Sequence, residues 1–479
     1  MANPLAALRS KPNLIISISA GPGYYPYYVK NAKGEICCHL GDWDTAEKLY
    51  YGNLAAAQTS RQQVLCGEAL DQLGHVKALK GSYQEAMELS LAAMKIADGE
   101  GSEKLRAKCI GSIGNIHFYL GRMDKAIECY RNLKKLSLSS GQAGQTISAV
   151  GNLGMALIEL ADYDQARDCF MEQIDLCRRQ GDVAGLGDAY GNLGIIHSRN
   201  GRFVEAEACY RIQIELAQKT GDRRAAATAL GNLGGVFWAR GDYHGALACC
   251  REQAEVDEQI GDYHGLCQVL GNTGIVHKNL GQYAQAEECF TRALELARSM
   301  GNRRAEGVTL CNAGNLFKRV GDNLRAMECY QRAQAFCQEL GIKFFLLETL
   351  YQLAELHLLL GQPGQAAEIN GQARDLCDTM PDPELSFNIA LLDHRIGWFQ
   401  GMKRKALDGM RQLGRAQLDP KQQAEVRYFL HKLGGDAEDG AEARRLYREL
   451  LERRPDALYR ERLEELRRGD PEPQNTIKI

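Results

Sequence analysis

Eight polar residues recur at intervals of forty: Gln72, Ser112, Asn152, Asn192, Asn232, Asn272, Asn312 and Gln352. A carboxamide donates and accepts hydrogen bonds at once. A row of them along one wall could hold both the N–H and the C=O groups of another polypeptide's backbone. Each neutral hydrogen bond nets only about 0.5–1.5 kcal/mol, so such a wall works through several residues together. The residue before the column is Gly111, Gly151, Gly191, Gly231 or Gly271. A mid-helix glycine costs about 1 kcal/mol against alanine, which suggests that something comes close to that surface. Further along the same face lie Arg199, Trp238, Lys278, Asn279, Lys318 and Arg319, a partly basic stripe suited to an extended, acidic partner. The plainer alternative is that the asparagines are solvated or bond within the protein, that the charges are solvated too, and that the glycines serve helix packing alone.

Two further columns invite metal or redox readings. Cys129, Cys169, Cys209, Cys249, Cys289 and Cys329 share one phase, and His117, His197, His277 and His357 alternate with Phe237 and Phe317 in another. Like-numbered residues on stacked helices stand roughly 10 Å apart. A disulfide needs Cα atoms within about 7 Å, and zinc needs sulfur near 2.3 Å. Free cysteine packs as a small hydrophobe, so both columns read as core packing. No metal and no cofactor is expected.

Catalytic signatures are missing too. There is no His-Glu-x-x-His, Gly-x-Ser-x-Gly or Gly-x-x-x-x-Gly-Lys-Ser/Thr. Catalytic residues: none; the chain reads as a binder, not an enzyme. With 58 Lys and Arg against 61 Asp and Glu, the net charge of −3 argues against non-specific nucleic-acid binding. No apolar run approaches the roughly 18 residues of a membrane span. The Leu14–Ala20 stretch is marginal for a signal core, and no Asn-x-Ser/Thr acceptor occurs. A cytoplasmic location follows as the expectation.

The elements that position these columns come from the same period. Gly41, Gly81, Gly121, Gly201, Gly241, Gly281, Gly321, Gly361 and Gly401 form one column, broken by Ala161. Five residues on, alanine is unbroken from Ala46 to Ala406, and a second glycine column runs from Gly34 to Gly314. Self-similarity at such a period marks stacked repeats. Residues 222–261 illustrate one unit. Asp222 caps a first helix carrying Leu230, Leu233, Phe237 and Trp238 at helical spacing. Gly241-Asp242 ends it and starts a second helix with Ala246, Cys249, Cys250 and Ala254. Gly234 and Ala246 lack bulk, so the two axes can approach there.

These units resemble the tetratricopeptide repeat family, with its Leu–Gly pair, an aromatic three residues on, a small residue in the second helix and an aromatic four residues later. Examples are Leu193-Gly194, His197, Ala206 and Tyr210, or Leu153-Gly154, Leu157, Ala166 and Phe170. The usual unit has 34 residues, and the 40-residue period is similar to the LGN/Pins-type scaffolds, with Gly-Asn-Leu/Thr-Gly at 151–154, 191–194, 231–234 and 271–274 and a variant at 311–314. The resemblance covers roughly residues 24–415. It implies an all-α, right-handed superhelical solenoid of about ten helical hairpins, with the carboxamide column lining a concave, peptide-binding surface, as in the superhelix of O-linked GlcNAc transferase. The G-protein-binding motifs of LGN-type proteins are not found here.

Four segments are expected: an N-terminal extension or cap over residues 1–23, the array over 24–381, degenerate repeats and capping helices over 382–468, and a disordered tail over 469–479. The leading function is a scaffold or adaptor that binds a peptide segment of another protein. Its partner-binding residues would be Gln72, Asn152, Asn192, Asn232, Asn272, Asn312, Gln352, Arg199, Trp238, Lys278, Lys318 and Arg319. The alternative is a sensor or regulatory subunit of a signalling or protease-like effector, switched by peptide or protein binding. Neither nucleic acid nor membrane is expected as a partner. Exposed terminal repeats leave homo-oligomer formation open.

Overall fold

The computed structural model describes residues 25–40, 42–380 and 382–468. Among the described residues there are twenty-three α-helices and no strand, so the chain is an all-α array of helical hairpins. The expected extension over 1–23 and the tail over 469–479 lie outside the described residues. The chain divides into two compact units, Met1–Ala229 and Leu230–Ile479.

The hairpins follow the turn chemistry read from the sequence. First helices such as Val183–Arg199 and Tyr263–Leu280 end on glycines at positive φ, for instance Gly201 at +70° and Gly281 at +79°. Glycine enters that left-handed region without the Cβ penalty of other residues. Ala161, which interrupts the column, adopts the same conformation at φ +59°. Asp162, Asp242 and Asp322 then cap the second helices by accepting from the backbone N–H three residues on.

Within each hairpin the small residues bring the helices together. A Cβ on Gly154, Gly194, Gly274 or Gly314 would stand 2.6–2.7 Å from the ring of Phe170, Tyr210, Phe290 or Tyr330 respectively. The alanine column from Ala46 to Ala366 is fully buried against the same crossing. In the first unit, Phe170, Leu153, Leu157, Ile158, Leu193 and Ile196 form one continuous core.

In the second unit the repeats continue through Pro363–Thr379 and then loosen into Pro383–Phe399, Lys403–Leu413, Pro420–Gly434, Ala437–Arg453 and Ala457–Arg468. Pro383 and Pro420 open their helices at positions where the missing N–H has no intrahelical partner to lose. The last three of these helices share a core of Tyr428, Phe429, Tyr447, Tyr459, Leu463 and Leu466.

Candidate functional site

The carboxamide column lies on the first helices, two residues before the glycines that meet the second helices at each crossing. In the first unit its members differ. Asn152 Nδ2 donates to Asn115 Oδ1 at 3.2 Å, and that oxygen also accepts from Tyr130 OH at 2.8 Å, so Asn152 bonds within the array. Gln72 is half-buried, with its Oε1 enclosed and unpartnered. Asn192 is half-buried, and Arg199 is exposed.

The glycines beside the column need a correction. What approaches Gly151, Gly191 and Gly231 is not an outside ligand but the array's own Gln173, Gln213 and Gln253, reaching in from the second helices. A Cβ at these glycines would sit 2.6–2.8 Å from the nearest carboxamide atom. All three glutamines are buried, and each Oε1 lacks a partner in the protein. This buried glutamine rank, at the same forty-residue interval, was legible in the sequence but not singled out.

Gly271 is different. The residue equivalent to Gln253 is Ala293, and a Cβ on Gly271 would meet nothing within 4 Å. Beside Gly271 lies a depression of about 330 Å³. Cys267, Gly271, Val308 and Phe345 give it apolar wall, and Asn272, Asn312, His264 and Arg304 give it polar rim. Asn302 holds the rim in place, accepting from Ala305 N–H at 3.0 Å while its Nδ2 lies 3.0 Å from His264 Nδ1. Asn272 is exposed and Asn312 half-buried, and neither carboxamide has a hydrogen-bond partner among the described residues. Asn232, half-buried, is likewise unengaged.

The basic stripe is also corrected, because most of it is already paired. Lys318 Nζ donates to Gln352 Oε1 at 2.5 Å and to Glu355 Oε2 at 2.6 Å. Arg395 reaches the other oxygen of Glu355 at 2.8 Å. Burial opposes ionisation of Glu355, yet Lys318 and Arg395 outweigh it and hold the carboxyl well below the usual carboxylate range. Arg319 faces Glu461 and Asp456, and the Trp238 ring lies under Arg454. Lys278 is half-buried, and burial followed by the nearby Arg319 lowers its pKa.

The tetratricopeptide repeat model matches residues 103–179, 143–219, 185–259 and 225–299, and a second model of the same repeat matches 347–369. These residues are tetratricopeptide repeats. Among the solved structures similar in fold are the following two. One is a signal transduction ATPase with numerous domains and a tetratricopeptide repeat sensor, from Pyrococcus horikoshii. It is 14% identical with a TM-score of 0.51, over 70% of this chain and 52% of that one. The other is a Rap protein complexed with competence and sporulation factor, 12% identical with a TM-score of 0.51, over 67% of this chain and 87% of that one. No curated protein sequence matches the chain.

Within the repeats the cysteines of the recurring column are buried or half-buried, and the four histidines are half-buried. All sixteen cysteines are free thiols. Burial pushes Cys169, Cys209 and Cys329 up to about 11, so they stay protonated at neutral pH. His277 Nδ1 and His357 Nδ1 lie 2.6 and 2.7 Å from Oε1 of Gln282 and Gln362, tying each first helix to the turn that follows it. Among the described residues no group of three or more His, Cys, Asp or Glu could hold a metal ion.

Proposed function

We propose that the chain is a protein-interaction scaffold that holds an extended segment of a partner polypeptide along the first-helix face of its second unit, and that it does so without catalysis. The observation that carries this reading is the depression beside Gly271, bordered by the unengaged carboxamides of Asn272 and Asn312. Two clamps one repeat apart can grip successive backbone amides while a side chain of the partner enters between them. Arg304 at the rim has no ion-pair partner among the described residues, which supports an acidic residue in or beside that position. Gln72, Asn192, Asn232 and the exposed Arg199 extend the same kind of surface within their own units.

The forty-residue period and the Gly-Asn-Leu/Thr-Gly runs support placing the array in the LGN/Pins-like subtype. No described helix is long and apolar enough to cross a membrane, and sixteen free thiols suit a reducing compartment, which supports a cytoplasmic location.

Selection from a displayed library of random peptides against the full chain tests the proposal. Enriched peptides should carry a shared acidic position and should lose binding to a Gly271→Leu variant, whose side chain fills the depression. Failure to enrich any sequence, or enrichment indifferent to Gly271→Leu, would reject it. A second reading, a regulatory subunit switched by a peptide, is favoured by one observation: a helix of the chain's own C-terminal region lies on part of the same face.

A further inference from the structure

Residues 454–461 cover the last turns of three first helices, Arg223–Arg240, Tyr263–Leu280 and Arg303–Val320. Arg319 lies seven residues after Asn312, hence two turns further on the same helix face. Trp238 and Lys278 lie seven after Gly231 and Gly271. The carboxamides and the depression occupy the first half of this face, and the C-terminal segment occupies the second.

The contacts are specific in their chemistry. The Arg454 guanidinium lies 4.3 Å from the Trp238 ring centroid, and its Nε donates to Tyr243 OH at 2.8 Å. Tyr243 OH in turn donates to Asp456 Oδ2 at 3.2 Å. Tyr283 OH donates to Glu461 Oε1 at 2.5 Å. Arg319 Nη2 stands 3.2 Å from Glu461 Oε2 and 3.9 Å from Asp456 Oδ1. Asn279, with its amide turned to satisfy both ends, accepts from Trp238 Nε1 at 3.0 Å and so fixes the indole. Backbone approaches as well: a Cβ on Gly241 would stand 2.9 Å from Arg454 Cα.

The two faces of helix Ala457–Arg468 contrast. Tyr459, Leu463 and Leu466 face the C-terminal core and are buried among apolar side chains. The opposite side of the segment, from Arg454 and Asp456 just before this helix to Glu461 on it, meets the repeats through an ion pair, a ring-stacked guanidinium and tyrosine hydroxyls. Cores are held by apolar burial. A polar surface matched charge for charge is how proteins choose partners, and aromatic and arginine anchors dominate such interfaces.

We propose that Trp238, Tyr243, Tyr283 and Arg319 form a recognition site for a short protein segment presenting a guanidinium, a carboxylate two residues later and a second carboxylate seven residues later, and that residues 454–461 fill this site in cis. A partner segment of the same chemistry reaches the site only by displacing the chain's own. The proposal does not rest on the Asn272–Asn312 clamp.

A fluorescent peptide of residues 452–468 tests it. The peptide should bind a full-length Arg454→Ala/Glu461→Ala variant at least tenfold more tightly than the wild-type chain, whose site is filled. Adding Arg319→Ala to that variant should abolish the gain, whereas adding Asn272→Ala and Asn312→Ala should not. A charge exchange guards against a variant that simply loses structure. Arg319→Glu should speed amide hydrogen exchange across 457–468 at least tenfold, and Arg319→Glu with Glu461→Arg should recover most of the protection. Equal uptake by wild type and variant, no uptake at all, uptake indifferent to Arg319, or a double exchange that fails to recover would each overturn the proposal.

Discussion

Two glycines less than one turn apart in helix Tyr263–Leu280 should respond to the same substitution with opposite signs. A Cβ on Gly274 would stand 2.6 Å from Phe290 Cε1, and Phe290 is 1% exposed, so the ring has nowhere to withdraw. A Cβ on Gly271 would meet nothing within 4 Å. Alanine gains about 1 kcal/mol of helix propensity at either position. Overpacking a core costs about 1–3 kcal/mol. Gly271→Ala should therefore stabilise the hairpin by up to about 1 kcal/mol, while Gly274→Ala should destabilise it by up to about 2 kcal/mol. Repeat arrays open locally, so the assay is amide hydrogen exchange across residues 263–299, where about 1.4 kcal/mol is a tenfold change in protection. Protection should rise in the first variant and fall in the second. A fall in Gly271→Ala, or unchanged protection in Gly274→Ala, would refute the reading of which glycine is packed and which is open.

Three other outcomes follow from the first and second units. Ala161→Gly should stabilise its turn by about 1 kcal/mol, because alanine at φ +59° carries the left-handed penalty that glycine avoids; exchange of the amides in 143–180 reads the gain. The buried Asp71 carboxyl is pushed up to about 6, mainly by burial. A raised carboxyl contributes stability below the unfolded value near 4 and loses it as pH rises through 6, at a cost of up to about 3 kcal/mol by neutral pH. Asp71→Asn should therefore raise protection of helix Gln63–Leu79 at pH 7 and leave it unchanged near pH 4. Glu355 has the opposite sign: its depressed carboxyl contributes stability above the ordinary glutamate value and loses it as pH falls. Glu355→Gln strands Lys318 and Arg395, both half-buried, and should cost about 2 kcal/mol at pH 7, seen as a lowered melting temperature that no longer depends on acid in the same way.

Helical phase was legible because three small-residue columns recur at one interval, and small residues are required wherever two helix axes cross closely. The boundaries followed from Gly–Asp pairs: Arg223–Arg240 and Tyr243–Ile260 begin and end within a residue of where Asp222, Gly241 and Gly261 place them. The site was legible only in part. Position in the repeat identified the carboxamide face, but not what covers each glycine, which depends on whether the second helix carries Gln253 or Ala293. The charge state of the stripe was illegible for a different reason. Glu461 lies 142 residues from Arg319, and no local pattern announces a contact between a repeat and a helix packed back upon it. A periodic sequence specifies nearest neighbours well and distant returns poorly.

The affinity of an enriched peptide for the wild-type chain and for Asn272→Ala/Asn312→Ala, with helicity followed by circular dichroism, tests the binding wall most directly. Losing two carboxamides should remove about 1–3 kcal/mol, a five- to 150-fold weaker dissociation constant, with the helical signal unchanged. An affinity changed by less than about twofold, well under 1 kcal/mol, would mean that the partner is held elsewhere and that these asparagines are merely solvated.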